Sequence, residues 1–356
     1  MRYLIVKTSA LGDIVQSFPV VEYIKKRFPD ASVDWVVEKR FRSLVETHPL
    51  VEHVLCINSK EWKKRWWHFK TWKEIIACIQ ALRKSKYDAV FDLQGNVKSG
   101  VVSFFAKTHK RIGFGWKSAP ERLNCCITNY RVDPLPGKNV RQDYLFLVED
   151  FFKETYSQAT EELLLKLNAQ EKVALDEWLK KVPSNTWMIC PGSNWPNKRL
   201  SQESLQSFLD HLHAAHKPQF IFLSGSDQEL QEVQKYAAQF PGALIADRLS
   251  IPLLQHLMTK MALVISVDSF ALHLAGTVAV PTFSIFGASL AHKYKPTGEQ
   301  HFAYQGVCPY GQTFEKRCPI LRTCVTGACI RTLDPEVLFT SFQSWWQRLQ
   351  ALRENC

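Results

Sequence analysis

Short apolar runs rich in β-branched residues recur along this chain, and each is followed by a polar loop and then by a helical pattern of apolar residues. The predicted strands are residues 3–6, 32–37, 54–57, 89–92 and, with a glycine turn, 111–115 in the first half and 186–190, 220–223, 243–246, 264–267 and 282–286 in the second. Strands that alternate with helices form parallel sheets with helices on both faces. The sequence therefore predicts an α/β fold built from doubly wound parallel sheets.

The length of 356 residues exceeds what one hydrophobic core usually supports, so we expect the alternation to be divided between two domains. A charged, helical stretch with few aromatic residues, about 153–185, is the predicted boundary region. We therefore expect an N-terminal domain at 1–160, a C-terminal domain at 161–334 and a final helix within 335–356. Open sheets of this kind bind ligands at the carboxyl ends of their strands, which predicts a cleft between two such edges.

Composition and charge narrow the class of partner. A chain with 46% hydrophobic and 22% charged residues, no apolar run of about twenty residues and no cleavable signal in MRYLIVKTSALGD is expected to be a cytoplasmic globular protein. Its ten cysteines are then expected to be mostly reduced thiols. The net charge of +11 favours an anionic partner, which could be nucleic acid, a lipid headgroup surface or a phosphorylated substrate.

Residues 60–73, KEWKKRWWHFKTWK, interleave basic and aromatic side chains. Tryptophan rings suit the interface of an anionic membrane, where lysine and arginine meet lipid phosphates. The same mixture stacks on single-stranded nucleic acid, and rings on one face of a charged helix also serve as ordinary core contacts. The sequence leaves these three interpretations open.

The segment LVISVDSFALHLAG, residues 263–276, combines an apolar strand with an acid, a hydroxyl and a histidine. Asp268 and Ser269 follow the strand at the position where a helix needs an N-cap, and His273 lies in the first turns of that helix. Free backbone N–H groups at a helix N-terminus bind anions, which predicts a site for a phosphorylated ligand. An ordinary capped junction with a core histidine explains the same residues.

Other polar side chains also follow strands. Loop 7–13 carries Asp13 but lacks the three-glycine dinucleotide fingerprint and the phosphate-loop lysine pattern, which argues against a nicotinamide cofactor. Lys198 and Glu229 follow two strands of the second half. A lysine and helix N-termini hold a diphosphate while a carboxylate takes a proton from a hydroxyl, which is the chemistry of metal-free glycosyl transfer from a nucleotide sugar. Each of these residues also has a purely structural explanation. Asp13 caps a helix, Lys198 lies in solvent, and Glu229 complements a helix dipole.

Five motifs then occur in order: SALGD at 9–13, DLQGNVKS at 92–99, Pro191-Gly192 with Lys198, Gly225 with Glu229, and VDS at 267–269 with His273. As a set, over nearly the whole chain, they resemble the bacterial lipopolysaccharide heptosyltransferases of glycosyltransferase family nine. The DLQGNVKS segment is most similar to heptosyltransferase I, which adds the first heptose to the Kdo region of the inner core. The resemblance implies an inverting, metal-independent transfer of heptose from ADP-heptose to Kdo-lipid A, without a cofactor, by a peripheral protein on the inner face of the inner membrane.

The resemblance also implies a GT-B fold with an acceptor-binding N-terminal domain, a donor-binding C-terminal domain and a final helix packed back on the N-terminal domain. Asp13 matches the family's proposed catalytic base, Lys198 a lysine on the donor phosphate, and Glu229 a carboxylate near the donor ribose. The candidate donor-binding residues are Ser9, Gly12, Ser193, Lys198, Glu229, Asp268, Ser269, Phe270 and His273. The candidate acceptor-binding residues are Gln94, Gly95, Lys98, Lys64 and Arg65. Because the family commonly has glycine at the position of Phe270, we expect this ring to narrow the approach of the backbone to the diphosphate.

Four cysteines, Cys308, Cys318, Cys324 and Cys329, lie within one loop region that contains glycine and proline. Four thiols so close suit a zinc ion or an iron–sulfur cluster. Their spacing contains no Cys-x-x-Cys knuckle, which favours free or structural thiols. No metal is expected at the transfer site.

Two other functions stay open at this point. Phe270 makes a catalytically silent relative conceivable, in which ADP binds without transfer. A nucleic-acid-binding protein using residues 60–73 would show steep salt dependence, but no recognition-helix or RNA-binding motif supports it. We therefore expect an acidic glycolipid and an anionic membrane surface as partners, rather than nucleic acid.

Overall fold

The computed structural model describes residues 1–155 and 162–354. The chain forms two compact units, Met1–Thr160 and Glu161–Cys356. The predicted boundary at residues 160 and 161 lies outside the described residues. Each unit contains a six-stranded parallel sheet with helices between the strands. The predicted α/β fold of doubly wound parallel sheets is confirmed.

The sheet of the first unit has the order β3-β2-β1-β4-β5-β6. Its strands are β1 Arg2–Val6, β2 Ser32–Glu38, β3 His53–Ile57, β4 Ala89–Asp92, β5 Arg111–Phe114 and β6 Tyr130–Val132. Its helices are α1 Leu11–Val15, α2 Phe18–Arg27, α3 Arg42–Glu46, α4 Ser59–Lys64, α5 Phe69–Lys84, α6 Val97–Phe105 and α7 Val140–Phe152, with 3₁₀ turns at Lys39–Phe41 and Arg122–Cys126. Val6 pairs with Asp92, so the loops after β1 and β4 leave the sheet side by side.

The apolar pattern of residues 14–28 predicts one helix, whereas the structure contains two in this stretch. α1 ends at Val15, and α2 begins at Phe18 with Pro19 in its first turn. A proline has no N–H to donate and disfavours the helical conformation of the residue before it, but it is well tolerated at a helix start. Pro19 therefore begins a second helix instead of continuing the first.

The sheet of the second unit has the order β12-β11-β10-β7-β8-β9. Its strands are β7 Thr186–Cys190, β8 Gln219–Ser224, β9 Leu244–Asp247, β10 Leu263–Val267, β11 Thr282–Phe286 and β12 His301–Gln305. Its helices are α8 Ala169–Leu179, α9 Gln202–His216, α10 Asp227–Ala237, α11 Ile251–Met258, α12 Phe270–Ala275, α13 Ala291–Tyr294, α14 Ala328–Arg331 and α15 Pro335–Glu354, with a 3₁₀ turn at Pro196–Lys198. Every residue of β7, β10 and β11 is buried, as their continuous apolar sequences predict.

The sequence does not predict β6 and β12, which are the outermost strands of their sheets. β6 has only three residues, and β12 has the sequence HFAYQ, in which polar residues stand at both ends. An edge strand is half solvated, so it needs no continuous apolar run, and that run is the signal by which the central strands are found.

The last helix, α15, belongs to the core of the second unit. Its buried side chains follow helical spacing and are Leu338, Phe342, Trp345, Trp346 and Leu349. Phe342 packs against Trp187 of β7, Phe208 of α9 and Phe283 of β11. Its apolar face buries these rings in the core of its own unit, and the expected packing of this helix on the N-terminal domain stays a prediction.

Within residues 1–155 and 162–354, no helix combines the length and the apolar character that crossing a bilayer requires.

Candidate functional site

The winding of the second sheet reverses at β7. The chain adds β8 and β9 on one side of β7 and then β10, β11 and β12 on the other. In open α/β sheets, ligands bind at the carboxyl ends of the strands where this reversal occurs. The loops after β7, β8 and β10 reach that edge. These loops and the first turns of the helices after them carry the predicted residues Ser193, Lys198, Glu229, Asp268, Ser269, Phe270 and His273.

Asp268 holds two of these side chains together. Its Oδ2 forms an ion pair with the ammonium group of Lys198, and Nε2 of His273 lies 3.6 Å from its Oδ1. The side chains of Lys198, Asp268 and His273 are 9%, 7% and 8% exposed. The alternative of a solvated Lys198 is therefore wrong, and the structure brings together three predicted residues from loops about seventy positions apart.

The cluster carries fixed charge. Burial by itself raises the pKa of Asp268, but the hydrogen bond from His273 and the charge of Lys198 outweigh it, so the pKa lies well below its ordinary value. Asp268 is therefore a carboxylate at neutral pH. An ammonium group has three donors, so pairing Lys198 with Asp268 leaves it able to bind phosphate oxygens as well.

Three further donor-binding candidates lie at the same edge. Ser193 Oγ is 3.5 Å from the main-chain oxygen of Asp268 and so joins the loop after β7 to the end of β10. Ser269 is the N-cap residue of α12, but its hydroxyl contacts Ser266 Oγ at 3.2 Å and makes no capping hydrogen bond. Phe270 is the first residue of α12 and is half-buried. The predicted N-cap position is correct, whereas the side-chain cap is not formed.

Glu229 is held at the start of α10 by contacts from two loops. Its Oε2 accepts a hydrogen bond from the N–H of Gly225 at 3.0 Å, and its Oε1 accepts one from Nη2 of Arg199 at 3.3 Å. A Cβ at Gly192 would lie 2.4 Å from Oε1, so a side chain there would displace the carboxylate. Arg199 also donates to the main-chain oxygen of Ser193 at 2.6 Å. The sequence does not predict Arg199, because its partners are distant in sequence.

In the first unit, Asp13 lies in the first turn of α1, shortly after β1. Its Oδ2 accepts a hydrogen bond from the N–H of Ala10 at 3.1 Å, so Asp13 caps the helix, as its position predicts. The residue is half-buried, as are its neighbours Ser9 and Gly12. A carboxylate accepts about four hydrogen bonds, so a cap of this kind is compatible with a second role as a base.

Gln94 shapes the loop that precedes Asp13. Its Oε1 accepts hydrogen bonds from the N–H groups of Thr8 and Ser9, both at 3.1 Å, and from the hydroxyl of Thr8 at 3.3 Å. The side-chain oxygen of this predicted acceptor-binding residue is therefore engaged by the protein. Gln94 ties the loop after β4 to the loop after β1.

Asp92 folds the loop in which Gln94 lies. Its buried carboxylate accepts hydrogen bonds from the N–H groups of Gln94 at 3.0 Å and Gly95 at 2.9 Å, from Ser99 Oγ at 2.8 Å and from Asn124 Nδ2 at 2.6 Å. Burial raises the pKa of Asp92 even though these bonds act to lower it. Gly95 has a φ of +69°, in the left-handed region that favours glycine. The DLQG motif is thus a turn that is stabilised by hydrogen bonds from its own N–H groups to Asp92.

Lys98 is fixed by a buried acid. Its Nζ donates to Glu38 Oε1 at 2.7 Å and to Ser59 Oγ at 3.2 Å, and the Glu38 side chain at the end of β2 is only 7% exposed. The Lys98 side chain itself is 35% exposed, so it is accessible to an anionic ligand. Glu38 is not predicted by the sequence, since it falls at the end of an apolar strand.

Residues 64–72 form a surface that we call the aromatic–basic surface. Its rings are Trp66, Trp67, Phe69 and Trp72, which are 63%, 64%, 74% and 52% exposed. The side chains of Lys64 and Arg65 are 72% and 68% exposed, and each lies within 4.0 Å of Glu61. The interpretation of this segment as core contacts is therefore wrong for these four rings.

Trp62, in the same basic segment, differs from its neighbours. It packs against the core of the first unit, and its Nε1 donates to Glu74 Oε2 at 3.0 Å. The core-contact interpretation therefore holds for Trp62 alone among the five rings of this stretch.

Cys308, Cys318, Cys324 and Cys329 line one cavity in the second unit, together with apolar side chains. All four are free thiols. Burial raises the pKa of Cys329 to about 11, and the other three thiols add to this increase. Among the described residues, no group of three histidine, cysteine or acidic side chains is gathered tightly enough to hold one metal ion.

Comparisons with known proteins point to one family. The model of glycosyltransferase family 9 (heptosyltransferase) matches residues 75–323. Lipopolysaccharide heptosyltransferase 1 of Campylobacter coli is 30% identical over 314 residues, which are 82% of this chain and 86% of that protein. Its namesake in Escherichia coli K12 is 35% identical over 129 residues, 36% of this chain and 40% of that protein.

Solved structures agree on the fold. E. coli heptosyltransferase WaaC with ADP superposes with a TM-score of 0.76 at 20% identity over 97% of this chain and 100% of that chain. The same enzyme with ADP-2-deoxy-2-fluoro heptose gives a TM-score of 0.71 at 22% identity over 86% of this chain and 94% of that chain. At this identity the likeness establishes a shared GT-B fold.

Proposed function

Because the chain belongs to glycosyltransferase family 9, the heptosyltransferases, we propose that it transfers heptose from ADP-heptose to the Kdo region of the lipopolysaccharide inner core, on Kdo-lipid A. The observation that carries this proposal is the buried cluster of Lys198, Asp268 and His273 at the edge where the second sheet reverses its winding. The solved relative bound to ADP-2-deoxy-2-fluoro heptose supports ADP-heptose as the donor.

The donor is proposed to bind the second unit. Lys198, held by Asp268, neutralises the diphosphate, and the carboxylate of Glu229 accepts hydrogen bonds from the ribose hydroxyls. The other proposed donor contacts are Ser193, Ser269, Phe270 and His273 of the second unit, together with Ser9 and Gly12 of the first. Since Lys198 supplies a cation at the leaving group, this reaction needs no metal ion.

Asp13 is proposed as the catalytic base. It accepts the proton of an acceptor hydroxyl, whose oxygen attacks the anomeric carbon of heptose from the face opposite ADP. The bond from that carbon to the diphosphate oxygen breaks, and ADP leaves with the electron pair beside Lys198. Because attack and departure are on opposite faces, the product has the inverted anomeric configuration.

The acceptor is proposed to bind the first unit. Lys98, fixed by Glu38, and the exposed Lys64 and Arg65 offer positive charge to Kdo carboxylates and lipid phosphates. Gln94 and Gly95 are proposed to contribute from the loop after β4. We also propose that the aromatic–basic surface attaches this cytoplasmic enzyme to the inner face of the inner membrane, because exposed tryptophans beside lysines suit an anionic lipid interface.

The reaction is tested with ADP-heptose and Kdo-lipid A in buffer containing EDTA. The expected result is undiminished transfer and an anomeric configuration, determined by NMR of the product, opposite to that of the donor. Loss of activity that Mg²⁺ restores would contradict the metal-independent reaction, and a retained configuration would contradict the single displacement. Binding of ADP without transfer to any Kdo-containing acceptor would favour a catalytically silent relative.

A further inference from the structure

We propose that Cys324 and Cys329 are a peroxide-sensitive thiol pair, which hydrogen peroxide converts into a disulfide beside the turn that carries Lys198. Both residues are free thiols, and both line one cavity with room for about one water molecule. Cys308 and Cys318 line the same cavity. Thiols around so small a space are close neighbours, and a reactive cysteine next to a second thiol is the usual arrangement of a reversible redox site.

Cys324 has the surroundings of a reactive thiol. The N–H of Gly327 donates to its Sγ at 3.4 Å, and Thr326 Oγ1 lies 3.8 Å from the same sulfur. The bond from Gly327 and then that from Thr326 lower the pKa of Cys324, so more of this thiol is thiolate at neutral pH than in an ordinary cysteine. Cys324 is half-buried and its neighbour Val325 is 94% exposed, so a small oxidant in solvent reaches the sulfur.

Cys329, in α14, has the opposite character. Burial raises its pKa to about 11, and the charges of the other three thiols add to this increase. Neighbouring charges shift a pKa in this way at short range, so the other sulfurs lie near Cys329. Because peroxide reacts with thiolates, a thiol that stays protonated at neutral pH is a poor first target. Cys329 therefore suits the second position of the pair, the thiol that attacks an oxidised partner.

The proposed reaction has two steps and consumes one molecule of hydrogen peroxide. The Cys324 thiolate attacks a peroxide oxygen, the O–O bond breaks and hydroxide leaves, so Cys324 becomes a sulfenic acid. Because a sulfenic acid is neutral, one of the charges that raise the pKa of Cys329 is then removed. The Cys329 sulfur attacks the sulfenic sulfur, the S–O bond breaks, and the hydroxide leaves as water with the thiol proton. The two thiols lose two electrons, and the peroxide is reduced to two water molecules.

The thiol pair is attached to the candidate donor site. Asn197 donates through Nδ2 to the main-chain oxygens of Cys324 at 2.6 Å and Leu321 at 3.0 Å. Asn197 precedes Lys198 in the 3₁₀ turn. A disulfide takes the Cys324 sulfur away from the N–H of Gly327 and shifts the main chain to which Asn197 is bonded. We therefore expect the disulfide to weaken donor binding, a consequence that rests on the proposed donor-binding function.

The disulfide is tested on the full chain, which is reduced, freed of reductant and treated with hydrogen peroxide at pH 7. Peptide mass mapping without reductant should find Cys324 joined to Cys329. Cys324→Ser should form no disulfide among the cavity thiols, and Cys329→Ser should stop at a sulfenic acid on Cys324, which dimedone traps. Cys126→Ser, at an exposed thiol of the first unit, is the matched control and should still form the disulfide.

Two results would overturn the thiol pair. One is a Cys324 that stays a free thiol when peroxide has already oxidised Cys126. The other is a disulfide that joins Cys329 to Cys308 or Cys318 and leaves Cys324 out. Circular dichroism shows whether each variant folds, and the peptide map of the wild-type chain decides the question if the variants do not.

The consequence for the donor site has its own measurement, which is calorimetric titration with ADP. The oxidised chain should bind ADP several-fold more weakly than the reduced chain, and dithiothreitol should restore the affinity. Equal affinities would overturn the link to the donor site and leave the disulfide intact. A reduced chain that does not bind ADP would contradict the proposed function instead, whatever the peptide map shows.

Discussion

At the scale of single residues, Asp268 contacts both Lys198 and His273 in the candidate donor site. Asp268→Asn would leave Lys198 buried without its counter-ion. Breaking a buried ion pair costs about 3–5 kcal/mol, so we expect the free energy of unfolding to fall by about 3 kcal/mol. Urea denaturation at pH 7 measures this loss, and Asp30→Asn, at an exposed acid of the first unit, is the control. Equal stability of Asp268→Asn and wild type would contradict a buried pair.

The pH dependence of this difference follows from the lowered pKa of Asp268. The contribution of such a carboxylate is fully present above its unfolded pKa of about 3.9 and is lost as the pH falls through the lower folded pKa. The stability difference between wild type and Asp268→Asn should therefore stay constant between about pH 7 and pH 5 and shrink only below about pH 4. If the stability difference already declines between about pH 7 and pH 5, the titrating group is a histidine instead of Asp268.

Individual site residues could be predicted where they follow a strand. Asp268 stands directly after β10, His273 lies in the helix that follows it, and Lys198 lies in the 3₁₀ turn that follows β7. Parallel strands bring such positions to one edge of the sheet. Their ion pair could not be predicted, because its partners are seventy residues apart. The roles of Arg199 and Glu38 could not be predicted for the same reason, because only the folded chain brings their partners near.

At the scale of elements, the loops after β7 and β8 hold Glu229 between two glycines. In Gly192→Ala the new Cβ would lie 2.4 Å from Oε1, so the flexible carboxylate must move, with little cost in stability. We expect ADP affinity to fall about tenfold, or about 1.4 kcal/mol. In Gly225→Ala the Cβ would lie 3.4 Å from Oε2, an ordinary contact, so ADP affinity should be nearly unchanged. Calorimetric titration with ADP measures both, and equal affinities would contradict a positioned Glu229.

The aromatic–basic surface makes a prediction about membranes. Cosedimentation should show that the wild-type chain binds vesicles containing anionic lipid far more strongly than neutral vesicles. Replacing both Trp66 and Trp67 by serine should weaken this binding at least about tenfold, since the exposed rings lose their interfacial contact. Trp116→Ser, at a ring of the first unit that is 49% exposed, is the matched control. If the double variant loses binding to single-stranded oligonucleotides and keeps its binding to vesicles, the nucleic-acid interpretation is favoured.

Most elements could be predicted because central parallel strands are continuous apolar runs. The elements that were not predicted have physical causes. β6 and β12 are solvated edge strands. Pro19 divides a helix whose apolar pattern continues across the break. Trp66 and Trp67 lie in the turn between α4 and α5. Their exposure beside the packed Trp62 could not be predicted, because the sequence pattern does not show where α4 ends.

At the scale of the whole molecule, the two sheets share one strand order, in which the winding reverses beside the first strand of each unit. This repetition is visible in sequence as two runs of strand, loop and helix, and the five motifs identify the family that the comparisons establish. The position of α15 was not predictable in the same way, since an amphipathic helix at a chain end can pack on any apolar face. Its tryptophans and Phe342 complete the second core.

The central claim is tested most directly by the mass of Kdo-lipid A after incubation with ADP-heptose and the enzyme. The wild-type chain and Asp30→Asn should add one heptose to the lipid. Asp13→Asn should bind ADP as wild type does and yet turn over about 10²–10⁴-fold more slowly, because it lacks the base. No mass gain with the wild-type chain, or full activity of Asp13→Asn, would contradict the account.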